Sequence, residues 1–182
     1  MSRLNGKKVA FVLTDGYEDS ELTSPWEALS AEGAEVTLIA PKGGEIEGKK
    51  GFQAPVDITT SEANANDYDA LVLPGGVVNA DHLRMDEAAV GFVRSFFENG
   101  KPVGVICHGA WILAEADVLK GRTITSYPSL RTDLVNAGAD WVDQEVVVDE
   151  GLVSSRKPDD LPAFNKKLVE EIAEGMHKGQ RA

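Results

Sequence analysis

One segment, residues 103–114, has the sequence VGVICHGAWILA and joins an apolar strand to a helix through a very short turn. The residues before Cys107 are apolar or glycine, which is typical of a strand buried on both faces. A helical pattern starts two or three residues after Cys107, and Gly104 and Gly109 keep the turn uncrowded. A nucleophile elbow has this geometry, because a sharp turn lifts its side chain above the sheet edge. The pattern also fits a small buried residue that merely closes a strand.

Short apolar runs alternate with amphipathic segments along the rest of the chain. We predict further strands at Val9–Leu13, Val36–Ala40, Ala70–Leu73, Val146–Val148 and Leu152–Ser155, and helices at Ser20–Glu32, Glu87–Asn99, Ala110–Val118, Ser129–Ala137 and from Asp159 to Gly175. Gly33 and Gly100 directly follow two of the predicted helices, at the position where glycine commonly ends a helix. Alternating strands and helices form right-handed βαβ units and a mostly parallel sheet. The sequence therefore predicts one domain over residues 1–182, a doubly wound α/β sandwich with helices on both faces.

The composition excludes several functions. The 182 residues carry a net charge of −12, with a pI near 4.6, so we expect neither nucleic acid nor a membrane surface as a partner. No segment approaches the roughly 20 apolar residues of a membrane span. A single cysteine allows neither an internal disulfide nor a cysteine-rich zinc site. We therefore predict no metal and no other cofactor, and a cytoplasmic location.

Ligands of doubly wound sheets bind beyond the carboxyl ends of the strands, which here selects loops 14–20, 41–51, 74–83 and 107–111. The second of these loops contains GGEIEGKK, close to a phosphate-binding loop. Lys50 replaces the Ser or Thr that such a loop needs for magnesium, while Glu45 and Glu47 would repel phosphate. We predict a glycine-bearing hairpin there.

The other crevice loops supply possible partners for Cys107. Glu18 follows the first strand, although it fits a first-turn helix acid equally well. Gly75 and Gly76 follow the third strand, where their N–H groups could form an oxyanion hole, or where they simply make a tight turn. His108 is adjacent to the cysteine. Because a helix N-terminus stabilises a thiolate, we predict a Cys107 pKa well below the ordinary value of about 8.5.

Three motifs, AFVLTDGYEDSEL at 10–22, LPGG at 73–76 and ICHGA at 106–110, resemble those of the PfpI/ThiJ superfamily. The motifs TSYP at 125–128, ADWVD at 139–143 and VSSR at 153–156 narrow the resemblance to the PfpI branch of stress proteins and reputed intracellular proteases. The resemblance implies a flavodoxin-like sandwich, a domain similar to class I glutamine amidotransferases, and a reactive cysteine at Cys107. It also implies a thiol-contacting acid at Glu18, a histidine at His108, and backbone donors around Gly76 and His108.

In proteins of the PfpI branch, an acid from a neighbouring subunit is the partner of the site's histidine. The matching position here is Asp81, an aspartate that follows a one-residue insertion where the namesake has glutamate. The resemblance thus implies a homodimer or a higher oligomer.

These residues suggest how the site could work. A protonated Glu18 would donate a hydrogen bond to the sulfur and share one proton with it, because two adjacent negative charges repel each other. His108, oriented by Asp81, would act as general acid or base. The amides of Gly76 and His108 would hold the oxyanion.

Four functions remain open. We favour a glyoxalase- or deglycase-like stress enzyme that attacks small reactive carbonyl compounds or glycated groups, and place a cysteine peptidase second. A redox sensor based on an oxidisable Cys107 and a chaperone-like protein without turnover are the other two. A glutaminase has less support, because it needs a remote histidine with an acid two residues later, and His82 and His177 are followed by Arg84 and Gly179.

Overall fold

The structure, a computed structural model, describes residues 2–182. In chain order its strands are β1 (Lys8–Val12), β2 (Glu35–Ala40), β3 (Glu45–Glu47), β4 (Gln53–Pro55), β5 (Ile58–Thr59), β6 (Ala70–Leu73), β7 (Val103–Ile106), β8 (Thr123–Ile124), β9 (Asp140–Trp141), β10 (Val147–Asp149) and β11 (Leu152–Ser155). The helices are α1 (Asp19–Ala31), α2 (Val77–Leu83), α3 (Glu87–Glu98), α4 (Trp111–Glu115), α5 (Arg131–Asn136) and α6 (Leu161–Glu174), and 3₁₀ turns cover Ala65–Asp67, Cys107–Ala110, Pro128–Leu130 and Pro158–Asp160.

Seven strands form the central sheet in the order β10-β11-β7-β6-β1-β2-β5. All neighbouring pairs are parallel except β10 with β11, so the sheet is mostly parallel with one antiparallel edge strand. The register pairs Leu73 of β6 with Val105 of β7. Because these two strands end side by side, the loop after β6 lies next to the turn after β7.

Alternate residues of each strand pack on opposite faces of the sheet. Ala10 and Val12 of β1 pack in a cluster with α3, α4 and α5, whereas Val9 and Phe11 pack with α1 and α6. Both faces are apolar because both are covered by helices, which explains the nearly continuous apolar strand sequences. The predicted sandwich is confirmed.

Most strands and helices predicted from the local sequence begin and end within one or two residues of their observed bounds. Gly33 and Gly100 follow the last turns of α1 and α3 with φ of 93° and 69°, as predicted for residues after a helix. The predicted hairpin is also present, with β3 and β4 paired antiparallel.

Two local predictions need correction. The helix predicted to end at Val118 ends at Glu115, and Asp117, with φ of 56°, then redirects the chain. Helix α2 was not predicted, and Asp81 lies inside it. None of the helices within residues 2–182 is long and apolar enough to cross a membrane.

Candidate active site

Cys107 adopts a backbone conformation that side chains rarely adopt. Its φ is 62°, and of the three non-glycine residues with positive φ in residues 2–182 it is the buried one, 7% exposed. A left-handed residue with a Cβ atom is strained and persists where the surrounding structure holds it. The strand-to-helix turn at Cys107 therefore has the geometry expected of a nucleophile elbow.

The loop after β6 closes over the cysteine. A Cβ atom on Gly75 would lie 2.8 Å from the Cys107 Cβ and 2.5 Å from Glu21 Oε1, so only glycine fits. The backbone N–H groups of Gly76 and His108 lie close enough to the Cys107 sulfur to lower the pKa of the thiol. These two predicted oxyanion donors therefore face the reacting atom.

The third predicted donor is corrected by the structure. The N–H of Gly75 donates to Glu21 Oε1 at 2.8 Å, so it is already used by a carboxyl group inside the chain. The carbonyl of Gly75 is also engaged, since it accepts from the side chain of Asn79 at 2.9 Å. Gly75 thus holds Glu21 in place instead of contributing to an oxyanion hole.

Glu21 is an acid that lies beside the cysteine. Its side chain is completely buried, and a Cβ atom on Gly75 would touch both Glu21 Oε1 and the Cys107 Cβ, so the carboxyl group lies beside the cysteine. Burial raises the pKa of Glu21 to about 8, and the charge of Glu18 acts in the same direction. At neutral pH Glu21 is therefore predominantly protonated and can donate to the sulfur.

Glu18 is paired with two lysines. Its carboxylate oxygens pair with Lys49 Nζ at 2.9 Å and Lys50 Nζ at 3.3 Å. Glu18 is the residue before α1, whereas Glu21 lies in the first turn of that helix. The sequence motif contains both glutamates, and the predicted contact between Glu18 and the thiol stays a prediction.

Lys49 and Lys50, the two lysines that pair with Glu18, lie in the hairpin loop between β3 and β4. The sequence predicted no role for this loop beyond the hairpin itself. The Asp19 carboxylate holds the hairpin tip by accepting from the N–H groups of Lys50 at 3.1 Å and Phe52 at 2.9 Å. The Lys49 N–H donates to the Tyr17 carbonyl at 2.9 Å. The loop after β1 thus holds the lysine pair beside Glu18.

The predicted low thiol pKa is contradicted. Burial raises the pKa of Cys107 to about 12, and the charges of Glu21 and Glu18 act in the same direction. The N–H groups of His108 and Gly76 oppose this increase but do not reverse it. Cys107 is therefore a thiol at neutral pH and needs a base to become a nucleophile.

His108 is placed to be that base. Its Nδ1 lies 3.3 Å from the Cys107 sulfur, and its Nε2 lies 3.3 Å from the hydroxyl oxygen of Ser129. The ring stacks on Tyr127, with 4.8 Å between centroids. Burial lowers the pKa of His108, and the positive charge of Lys49 lowers it further, so the imidazole is neutral at neutral pH. Sequence reasoning missed Ser129 and Tyr127, although the TSYP motif ends directly before Ser129.

Asp81 does not meet His108 within the single chain. It is exposed on α2, and no hydrogen bond or ion pair joins the two side chains among the described residues. Its predicted role across a subunit interface stays a prediction.

Comparisons with known proteins show the family to which the chain belongs. The family model described as "DJ-1/PfpI family" matches residues 7–171. Deglycase PH1704 of Pyrococcus horikoshii is 47% identical over 162 residues, which cover 89% of this chain and 97% of the relative. The putative cysteine protease YraA of Bacillus subtilis is 47% identical, with 90% and 96% of the two chains covered. General stress protein 18 of the same organism is 48% identical, with the same coverage.

Solved structures extend the agreement to the fold. A two-domain Anabaena variabilis protein with DJ-1/ThiJ/PfpI-like and ferritin-like domains superposes with a TM-score of 0.89 at 37% identity. The superposition covers 91% of this chain and 48% of that one, so the match leaves about half of the larger protein uncovered. From the elbow, the flavodoxin-like sheet and these matches together, the chain belongs to the DJ-1/PfpI family.

Proposed function

We propose that this protein is a cysteine-dependent stress enzyme that acts on small reactive carbonyl compounds or glycated groups. The observation that carries the proposal is the left-handed Cys107, whose sulfur lies 3.3 Å from His108 Nδ1 and whose Cβ lies beside the buried carboxyl group of Glu21. A relative named a deglycase, with 47% identity, supports this substrate class.

The residues suggest a sequence of proton transfers for a 2-oxoaldehyde such as methylglyoxal. The sulfur attacks the aldehyde carbon while His108 Nδ1 takes the thiol proton and passes it to the former aldehyde oxygen, which leaves a neutral hemithioacetal and a neutral imidazole. His108 then takes the proton from the former aldehyde carbon and returns it to the neighbouring carbon. The hydroxyl proton moves from the first oxygen to the second, so the hemithioacetal becomes a thioester of a 2-hydroxy acid. Water hydrolyses the thioester, so the net reaction adds one water to the substrate and regenerates the thiol. Glu21 and the amides of Gly76 and His108 supply hydrogen-bond donors throughout.

A cysteine peptidase is the second candidate, since a relative with 47% identity is named a putative cysteine protease. The same sulfur would attack a peptide carbonyl, and His108 would protonate the leaving amine to form an acyl-enzyme. Cys107 is only 7% exposed, which favours a small substrate over an extended polypeptide.

One experiment separates the two candidates. Methylglyoxal consumption and casein cleavage are measured for the wild type and for Cys107→Ala. We expect methylglyoxal consumption that the substitution abolishes, and little casein cleavage. Cysteine-dependent casein cleavage without methylglyoxal turnover would favour the peptidase, whereas turnover that survives in Cys107→Ala would contradict both.

The oligomer is part of the proposal. Val77 and Val78 on α2 are 54% and 51% exposed and lie a few residues from Asp81, so α2 offers an apolar contact for a second copy. Such a contact is needed because two chains of charge −12 repel each other. In the assembly, Asp81 of one subunit would orient His108 of the other. Mixing Cys107→Ala with Asp81→Ala should restore activity through mixed dimers, and an Asp81→Ala protein as active as the wild type would refute the shared site.

A further inference from the structure

The end of helix α6 brings three metal-ligating side chains together far from Cys107. Glu171 and Glu174 lie one turn apart on α6, and His177 follows after Gly175, whose φ of 88° ends the helix. One ligand atom from each of the three residues lies within 4.8 Å of the other two. His177 packs against Gly151, which directly precedes β11, so the cluster lies at the amino edge of the sheet, opposite the cysteine.

The imidazole of His177 is held in position and yet lacks a hydrogen bond. Its backbone N–H donates to the Gly100 carbonyl at 2.8 Å, and its carbonyl accepts from the N–H of Gln180 at 3.1 Å. The Nε2 atom is buried without any hydrogen-bond partner. Buried polar nitrogens without a partner are rare, because leaving one unpaired is costly.

The distances around this nitrogen favour a metal ion over a hydrogen bond. Nε2 lies 3.4 Å from Glu171 Oε1 and 3.4 Å from Glu174 Oε2. Both distances exceed the usual range of about 2.7–3.2 Å for a hydrogen bond. Ligands bound at about 2.0–2.1 Å in a tetrahedron are separated by about 3.3–3.4 Å, so the distance from Nε2 to each carboxylate oxygen equals that between two ligands of one tetrahedral ion.

The two carboxylates of the cluster also favour binding of a cation. Glu171 is 8% exposed, and its ligand oxygen lies within 4.8 Å of a carboxylate oxygen of Glu174. The negative end of the α6 dipole adds to this field. Lys7 approaches Gly175 but forms no ion pair with either glutamate. A divalent cation would balance the charges of both carboxylates.

We propose that Glu171, Glu174 and His177 form a binding site for a divalent transition-metal ion, with Zn²⁺ as the best match. One imidazole nitrogen and two carboxylate oxygens suit Zn²⁺, and water completes the tetrahedron. Because His177 belongs to the segment after α6, the ion joins the C-terminal tail to the helix. The site is structural, since the sheet separates it from Cys107.

The test uses zinc alone and the Cys107→Ala protein, which removes the thiol as a competing ligand. Calorimetric titration of the metal-free protein should show one Zn²⁺ bound per chain with micromolar or tighter affinity, and zinc should raise the thermal unfolding midpoint. His177→Ala should abolish binding, and Glu174→Gln, an exposed position that leaves the core intact, should weaken it at least tenfold. His82→Ala and Glu170→Gln are the matched controls, because they change an exposed histidine and a neighbouring glutamate outside the cluster, and both should bind as before.

Cobalt gives a second readout of the ligand geometry. Co²⁺ bound to the Cys107→Ala protein should show the intense visible absorption of a tetrahedral site, and His177→Ala should lose it. Zinc binding only at millimolar concentration, or binding unchanged in the His177→Ala/Glu174→Gln double variant, would overturn the proposal. A stability that depends on pH but not on zinc would also overturn it, because the cluster would then hold only a proton.

Discussion

The two sides of Cys107 have different electrostatic environments. On the hairpin side, the Glu18 carboxylate pairs with Lys49 and Lys50, whose side chains are 52% and 67% exposed. On the sheet side, Glu21 is fully buried, and no lysine or arginine of the described chain pairs with it. Two glutamates three residues apart therefore lie in different surroundings, because one is paired with two ammonium groups while burial raises the pKa of the other. The comparison shows that residue type alone does not determine which acid serves the cysteine.

The largest effect should come from removing the proton donor on the sheet side. Glu21→Leu eliminates the carboxyl group beside the sulfur, whereas Glu21→Gln keeps an N–H donor of similar shape. We expect kcat/KM for methylglyoxal to fall by about 10²–10³ in Glu21→Leu and by about tenfold in Glu21→Gln, in line with the usual contribution of a positioned proton donor. Equal losses in both variants would show that shape, not the donor, matters at this position.

The same buried acid should make stability depend on pH. The folded pKa of Glu21 is raised from 4.5 to about 8, so its protonated form stabilises the fold fully below pH 4.5, and this contribution is lost as the pH rises through 8. The loss relative to Glu21→Gln should be on the order of 3 kcal/mol, since one pKa unit corresponds to about 1.4 kcal/mol. Urea unfolding at pH 5, 6.5 and 8 measures it. Parallel stability curves for the two proteins would contradict the raised pKa.

A smaller effect is expected from the residue that contacts the far nitrogen of His108. Ser129→Ala removes the hydroxyl 3.3 Å from Nε2 and should leave the ring less well oriented toward the sulfur. We expect about a fivefold to tenfold lower rate of Cys107 alkylation at pH 7, with Ser129→Thr close to the wild type. An unchanged rate in Ser129→Ala would mean that the stacking on Tyr127 orients the ring by itself.

The smallest effects should come from the hairpin side, and they should have opposite signs. Glu18→Gln removes a negative charge that raises the Cys107 pKa, so the alkylation midpoint should move to lower pH. Lys49→Met removes a positive charge that faces the cysteine, so the midpoint should move to higher pH. Both shifts should stay below about one pH unit, because the lysines are largely exposed to water. Lys166→Met, at an exposed position of helix α6, is the control for net charge and should shift nothing. Shifts of the same sign in Glu18→Gln and Lys49→Met would refute the assignment.

Local sequence determined most of the scaffold. The apolar strands, the hairpin at 45–55 and the elbow at Cys107 were all predictable, because apolar runs, turn residues and strand-to-helix junctions are determined by residues close in the chain. The sequence also predicted that His108 would accompany the cysteine, since the two are adjacent. Helix α2 escaped prediction because it is short and carries no clear capping signal.

Tertiary structure decided the chemistry around that scaffold. The position of Glu21 beside the cysteine depends on where α1 begins relative to the Gly75 loop, and this follows from the pairing of β1 with β6. The burial that raises the Cys107 pKa, and the meeting of Glu171, Glu174 and His177, likewise depend on elements packed from distant parts of the chain. Spacing along the chain determines which backbone turns can form, but solvent exposure and charge contacts exist only once those turns are packed together.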